Sequence, residues 1–145
     1  MQKLIDNQLR AGRPSDEKGE NVKKAELVVR VLMGLIFFVF GLNGFLNFIP
    51  MEPPKEEMLA VMGGLFGIKY MLPLVKGIEV VVGAALLTNK FVPLALTVIS
   101  PIIVNIFLIH AIYAPEGLPM AIFVVVANIF LAYSHKDAFK GVLKA

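Results

Sequence analysis

Blocks of apolar residues, each about as long as a bilayer is thick, limit the fold of this chain more than any other feature. Hydrophobic residues make up 57% of its 145 residues and charged residues 17%, whereas soluble domains carry about 25% charged residues. A helix needs about 20 apolar residues to cross about 30 Å of hydrocarbon. At least three blocks reach that length, and a fourth comes close to it. The sequence therefore predicts an all-α, polytopic membrane protein.

Prolines, glycines and charged residues divide the chain into a polar head, four apolar spans and a basic tail. Between the first two spans, the apolar segment 58–68 has too few residues to cross a bilayer, and it follows the charged run 55–57. We expect it to form a short interfacial or re-entrant helix beside a four-transmembrane-helix bundle. The predicted boundaries are head 1–24, spans at about 25–49, 70–88, 91–113 and 118–134, and tail 135–145.

The basic residues lie mainly outside the spans and indicate how the chain is oriented. The head, the turn at Lys90 and the tail are basic, whereas loop 50–57 and the loop around Glu116 are acidic or nearly neutral. Because cytoplasmic loops carry an excess of Lys and Arg, both termini are predicted to lie in the cytoplasm. The basic residues are topology signals, so no nucleic-acid contact is expected.

Polar side chains within the spans concentrate in the middle and outer half of the membrane. An unpaired charge there costs at least ~2.5–3.5 kcal/mol on insertion scales, so such residues face the bundle interior and find partners. Lys76 and Glu79 are three residues apart on one helix face and can form an ion pair. Pro101 is expected to bend the third span and to free carbonyl groups nearby. The sequence predicts an outward-facing polar pocket formed by Asn43, Asn47, Lys76, Glu79, Asn105 and His110.

Structural roles remain open for the same residues. The asparagines can form interhelical hydrogen bonds that lock the bundle together. Lys76 and Glu79 can be a purely structural ion pair, and His110 can be a histidine whose hydrogen bonds are satisfied at the membrane interface. The pocket is therefore a hypothesis that needs the side chains to share one space.

Residues in and before the first span lead to three further predictions. Arg30 lies near the cytoplasmic edge and is expected to extend its charge to the membrane surface. The head is expected to lack a long helix, because it contains Gly12, Pro14 and Gly19. Small residues let helices approach closely in lipid, and those on related faces of this span are Gly34, Gly41 and Gly44.

The chain contains no cysteine, which excludes disulfides, thiolate metal sites and quinone-linked thiol oxidation. The sequence shows no metal-ligand cluster, phosphate-binding loop or nucleophilic triad, so we expect neither a metal site nor a stand-alone enzyme. A quinone is a candidate cofactor, because its site needs an apolar slot with a few hydrogen-bond donors for the carbonyl oxygens. Lys, Asn and His side chains can supply such donors, and Glu79 can exchange protons.

Three long segments, taken together and in order, carry a family resemblance. They are "RVLMGLIFFVFGLNGFLNF", "YMLPLVKGIEVVVGAALLTNKFVPLAL" and "SPIIVNIFLIHAIYAPEGLP". They resemble the first helix, the second helix and the third helix with its exit loop in the DoxX family of small bacterial membrane proteins. The resemblance implies a four-helix membrane protein. Some relatives are subunits of thiosulfate:quinone oxidoreductase, and others associate with enzymes that handle sulfur or oxidative stress.

The chain departs from the family pattern at Asn43, near which many relatives carry a lysine, and the resemblance supplies no catalytic residue set.

The favoured function is an accessory inner-membrane subunit of a redox system that binds a quinone or another small molecule. It would assemble as a homo-oligomer or with a partner membrane or redox protein. One alternative is a transporter or channel component, although four spans without an inverted repeat make a poor transporter alone. The other is a scaffold whose polar residues only fix helix packing.

Overall fold

Helices account for most of the computed structural model, which describes residues 1–5 and 14–143. Residues 6–13 of the predicted head and residues 144–145 of the predicted tail lie outside the described part. In chain order the elements are α1 (Pro14–Leu46), α2 (Glu56–Phe66), α3 (Met71–Leu87), α4 (Val92–Ile112), a 3-10 helix (Pro115–Gly117), α5 (Leu118–Ser134) and α6 (Lys136–Leu143).

Several of these helices are long and apolar enough to cross a membrane. Three stretches qualify alone: Asp16–Leu46, Val92–Ile112 and Pro115–Ser134. Helices α2 and α3 qualify together, although the chain bends by 89° between them. The prediction of a helical protein with membrane-length apolar helices is confirmed. The bend also gives the short α2 a direction very different from that of α3.

Helix α1 begins at Pro14 rather than near residue 25, so the prediction that the head lacks a long helix was wrong for residues 14–24. Proline is favoured in the first turn of a helix, where its missing N–H is not needed. Asp16 and Glu17 in the same turn interact favourably with the helix dipole. Local end signals therefore outweigh the cost of Gly19 inside the helix.

Helices α1 and α3 pack closely against each other along a row of glycines. The α1 residues are Gly34, Gly41 and Gly44, and a Cβ atom added to each would meet Leu87, Val80 and Lys76, in that order. Since the α3 numbers fall as the α1 numbers rise, the two helices are antiparallel. Helix α3 also contributes a glycine to this contact, because Gly83 packs directly against the backbone of Phe38 in α1. The glycines therefore act as packing residues, because no larger residue fits there without moving a neighbour.

The bundle closes as a ring: α3 also packs on α4, α4 on α5, and α5 on α1. Two contacts between polar side chains identify its two ends. At one end, Glu26 of α1 faces His135, which follows α5, with 3.5 Å between Oε1 and Nε2. At the other end, Lys55 lies 3.5 Å from Glu116. The largest fully buried side chains between these ends are Met33, Leu86, Leu96, Ile99 and Leu131.

Two polar contacts, one buried and one partly buried, tie neighbouring helices together. Arg30 is only 7% exposed, and its guanidinium donates a hydrogen bond to the carbonyl of Leu86 near the end of α3. The C-terminal end of a helix carries partial negative charge, which favours a cation there. The expectation that Arg30 extends to the surface was therefore wrong. Between α4 and α5, the Asn128 amide donates to the Ser100 hydroxyl over 3.0 Å.

Candidate functional site

A cavity of about 590 Å³ opens among α1, α3, α4 and α5, towards the end of the bundle where Lys55 and Glu116 meet. The end of α2 covers part of it. Most of its wall is apolar: Ile36, Phe37, Phe40, Met51, Leu65, Phe66, Met71, Val75, Ile102, Ile106, Ile109, Pro119, Met120, Ala121 and Val124. The polar residues of the wall are Lys76, Glu79, Asn105, His110 and Glu116, beside Gly117. Four of the six predicted pocket residues therefore share one space.

The Lys76–Glu79 ion pair lies in the wall of this cavity. The Lys76 Nζ atom is 2.8 Å from Glu79 Oε2, and the two side chains are 24% and 5% exposed. Their spacing of three residues places both on one face of α3. Gly44 of α1 makes room for the stem of Lys76, since a Cβ atom there would lie 2.5 Å from its Cγ atom. The ammonium has three protons and one bond to Glu79, so two donors remain for another group.

Asn105 lies on the α4 side of the same cavity. Its side chain makes no hydrogen bond with any residue in the described ranges, and the residue is exposed within its helix. An amide offers two donors and one acceptor oxygen. Asn105 therefore presents uncommitted hydrogen-bonding groups at the cavity wall, and the partner expected for a polar residue within a span is not found in the described ranges.

His110 lies further along α4, where the cavity opens. Its Nδ1 atom is 3.1 Å from the carbonyl oxygen of Ala114. One edge of the ring packs directly on Gly117, because a Cβ atom at that position would collide with ring atoms Nδ1 and Cε1. The turn after α4 thus fixes the orientation of the imidazole.

Glu116 forms the polar rim with His110. The pKa of Glu116 is held below its usual range, mainly by a hydrogen bond from its own backbone N–H and to a smaller extent by Lys55 and His110. Both partners of the Lys55–Glu116 ion pair are well exposed, and exposed pairs contribute little to stability. The rim therefore carries a persistent negative charge with a nearby cation.

Asn43 and Asn47 lie outside the cavity wall and end helix α1 instead. The Asn43 side chain accepts a hydrogen bond from the Ile49 N–H over 2.7 Å, and its amide donates to the Ile49 carbonyl over 3.4 Å. Asn47 is exposed and has a φ of 47°, a left-handed conformation that asparagine tolerates well at helix ends. Pro50, which follows shortly after, was the sequence signal for this ending.

Pro101 does not serve the cavity in the way the sequence predicts. Helix α4 continues through it, and the carbonyl that loses its usual donor belongs to Thr97, four residues earlier. Thr97 and Pro101 are both exposed, and neither lines the cavity. Glu116 and Gly117 also line the wall and were not among the predicted pocket residues, although their place directly after the polar stretch of α4 was a usable signal.

No protein-family model, no curated protein and no solved structure matches this chain at a significant level. The likeness to the DoxX family therefore depends on the three sequence segments alone. The geometry of the cavity carries the functional argument.

Proposed function

We propose that this chain is a DoxX-like, four-span protein of the bacterial inner membrane that binds a lipophilic small molecule with a polar head. A quinone is the candidate ligand. The observation that carries the proposal is the Lys76–Glu79 pair, which lies in the wall of an otherwise largely apolar cavity of about 590 Å³. Charged residues at membrane depth are costly, and they generally mark functional sites.

The wall chemistry fits such a ligand. Apolar side chains of α1 and α5 can bury a hydrocarbon ring and tail, as in most small-molecule sites. The free protons of Lys76 and the amide of Asn105 can donate to carbonyl oxygens. Glu79, the most buried of the polar wall residues, can accept or release a proton at the inner end of the cavity. Polar recognition and apolar burial are thus available in one space.

The protein would act as an accessory subunit, alone in a homo-oligomer or with a redox partner that supplies electron transfer. Its orientation would place both termini in the cytoplasm and the cavity mouth outside. The Glu26–His135 contact supports this even number of spans, because it holds the N-terminal half of α1 and the end of α5 at the same end of the bundle. Charge bias in the loops supports the direction.

Ligand binding can be tested with purified protein in lipid nanodiscs, using a benzoquinone that carries a decyl tail. The key variant is Lys76→Met/Glu79→Met, which removes both charges together and leaves no unpaired ion. We expect saturable binding to the wild type. The affinity of the double variant should be at least about tenfold lower, which is the scale of a hydrogen bond to a charged group. Glu26→Gln, at the opposite end of the bundle, is the matched control and should bind normally.

Decylbenzene serves as the apolar reference probe, because it lacks the carbonyl groups. Its binding should be equal in the wild type and the double variant if the cavity keeps its shape. The proposal fails if the quinone shows no saturable binding to the wild type, or if it binds the double variant equally well. In either case the ion pair would have only a packing role, as a scaffold protein requires.

A further inference from the structure

The turn that follows α4 determines which nitrogen of His110 is free. A carbonyl oxygen can only accept a hydrogen bond, so the Nδ1 atom of His110, 3.1 Å from the Ala114 oxygen, must carry the proton. In a neutral imidazole one ring nitrogen donates and the other accepts. The remaining nitrogen, Nε2, is therefore an acceptor, and His110 is part of the cavity wall.

Gly117 keeps the ring in this position. Any residue with a Cβ atom would collide with the Nδ1 and Cε1 atoms of the ring. The ring would then have to rotate away from the Ala114 carbonyl, and the proton would no longer be fixed on Nδ1. Gly117 is thus a positioning residue, which acts on a ligand only through His110.

Other acceptors of the cavity wall are partly engaged or lie further from the mouth, as does the amide oxygen of Asn105, five residues before His110 on α4. The Glu116 carboxylate faces Lys55 at 3.5 Å and is bonded to its own backbone N–H. At the inner end, Glu79 Oε2 is held by Lys76 at 2.8 Å. The Nε2 atom of His110 makes no hydrogen bond within the described ranges. It is consequently the uncommitted nitrogen acceptor near the cavity mouth.

We infer that the cavity selects ligands whose outer polar group donates a hydrogen bond, such as the hydroxyl of a phenol or a hydroquinone, with His110 Nε2 as the acceptor. This inference rests on the proposed small-molecule function and specifies the ligand class. The inner donors, Lys76 and Asn105, suit a carbonyl or ether oxygen, whereas the outer end suits a hydroxyl. The site therefore favours a ligand head with a hydroxyl group over the same head in which the hydroxyl is replaced by a group that cannot donate a hydrogen bond.

A matched pair of probes tests this directly: 4-heptylphenol and its methyl ether, 4-heptylanisole. Both carry the same ring and tail, but only the phenol has a proton to donate. Dissociation constants would be measured by calorimetry in nanodiscs at pH 8, where imidazole side chains are ordinarily neutral. The variants are His110→Phe, which keeps a ring without nitrogen, Gly117→Ala, which displaces the ring, and His135→Gln as a histidine control at the opposite end.

The readout is the ratio of the two dissociation constants, since a general loss of packing weakens both probes alike. The ratio in His110→Phe supplies the baseline, because without the imidazole the two probes differ only in how they partition between water and an apolar site. We expect the wild type and His135→Gln to favour the phenol by about three- to tenfold above that baseline, the worth of one neutral hydrogen bond. Gly117→Ala should fall to the baseline while retaining its helical circular dichroism.

The inference is overturned if the wild-type ratio equals that of His110→Phe while both probes still bind, and the proposed function then stands. It is also overturned if Gly117→Ala keeps the full preference. If neither probe binds the wild type saturably, the proposed function fails and the inference falls with it.

Discussion

At the scale of single residues, Gly83 and Gly77 lie on the same helix but face different surroundings. A Cβ atom at Gly83 would collide with the Phe38 backbone, whereas one at Gly77 meets nothing within 4 Å. We expect Gly83→Ala to lower stability by about 1–3 kcal/mol, the usual cost of overpacking. Gly77→Ala should be neutral or stabilising by up to about 1 kcal/mol, because alanine favours the helix. Thermal unfolding in detergent measures both, and equal effects would contradict the packing described.

Gly44→Ala should change the ion pair more than the fold. The added Cβ atom would lie 2.5 Å from Lys76 Cγ and 2.6 Å from Cδ, so the flexible side chain has to move rather than the helix backbone. Gly41→Ala is the matched comparison, because its Cβ atom would lie 2.8 Å from the backbone nitrogen of Val80. We expect Gly41→Ala to lower the unfolding temperature and Gly44→Ala to weaken quinone binding at nearly normal stability. The reverse order of effects would show that Lys76 is not held by this glycine.

Some site residues were predictable from the sequence, for identifiable reasons. Lys76 and Glu79 were, because the insertion cost and the spacing of three residues require a shared inward face. Asn43 was not placed correctly, since a polar residue near a helix end serves equally well as a cap or as a wall residue. Arg30 was misplaced because its partner, the Leu86 carbonyl, belongs to a helix distant in sequence. Pairing between helices depends on packing, which a single sequence does not display.

At the scale of elements, α2 is only lightly fixed by packing. It contains no buried residue, and it contacts α3 beyond the 89° bend. Lys55, directly before its first turn, reaches Glu116 in the turn between α4 and α5. This ion pair joins the start of α2 to the cavity rim. The short length of segment 58–68 was enough to predict a separate helix, but not this contact.

The Lys55–Glu116 contact should survive at neutral pH and be lost in acid. Since the pKa of Glu116 is lower in the folded protein than the ordinary 4.5, its small contribution to stability is present above that value. It disappears as the pH falls through the lowered pKa. Lys55→Met should raise the pKa of Glu116 only part of the way back to its ordinary value, because the hydrogen bond from the backbone N–H of Glu116 is the larger cause of the lowered pKa. Carbon-13 titration of labelled glutamates measures this, with Glu116→Gln to assign the signal.

At the scale of the whole molecule, the apolar blocks predicted the fold class well, because bilayer thickness alone sets their length. They could not predict that α1 and α3 would be the close antiparallel pair, with α2 between them in sequence. That pairing depends on glycines of both helices that allow the two backbones to approach closely. The cavity lies beside the end of α2, where Leu65 and Phe66 form part of its wall.

The absence of cysteine from the sequence allows a direct test of topology. Single cysteines at Met51 and Glu116 should react with an impermeant maleimide in intact cells. Cysteines at Asn89 and Gly141 should react only after the membrane is permeabilised. All four positions are exposed, so a failure to react reports sidedness rather than burial. Reaction of both the Met51 and the Asn89 positions in intact cells would show that α3 does not cross, and reaction of Asn89 without Met51 would show the opposite orientation.

The close fit of α1 to α3 also bears on how the chain enters the membrane during synthesis. Helix α3 has only 17 residues, at the short end of the range for a span, and it carries Lys76 and Glu79. A central lysine alone costs about 2.5–3.5 kcal/mol on insertion scales, whereas each large aliphatic residue returns only about 0.3–0.6 kcal/mol. A previously inserted α1, with glycines along one side, offers α3 a protein surface instead of lipid. We therefore expect the insertion machinery to release α3 only alongside α1, so that replacing all three glycines of the row with leucine, unlike the single alanine changes, halts biogenesis before any bundle exists.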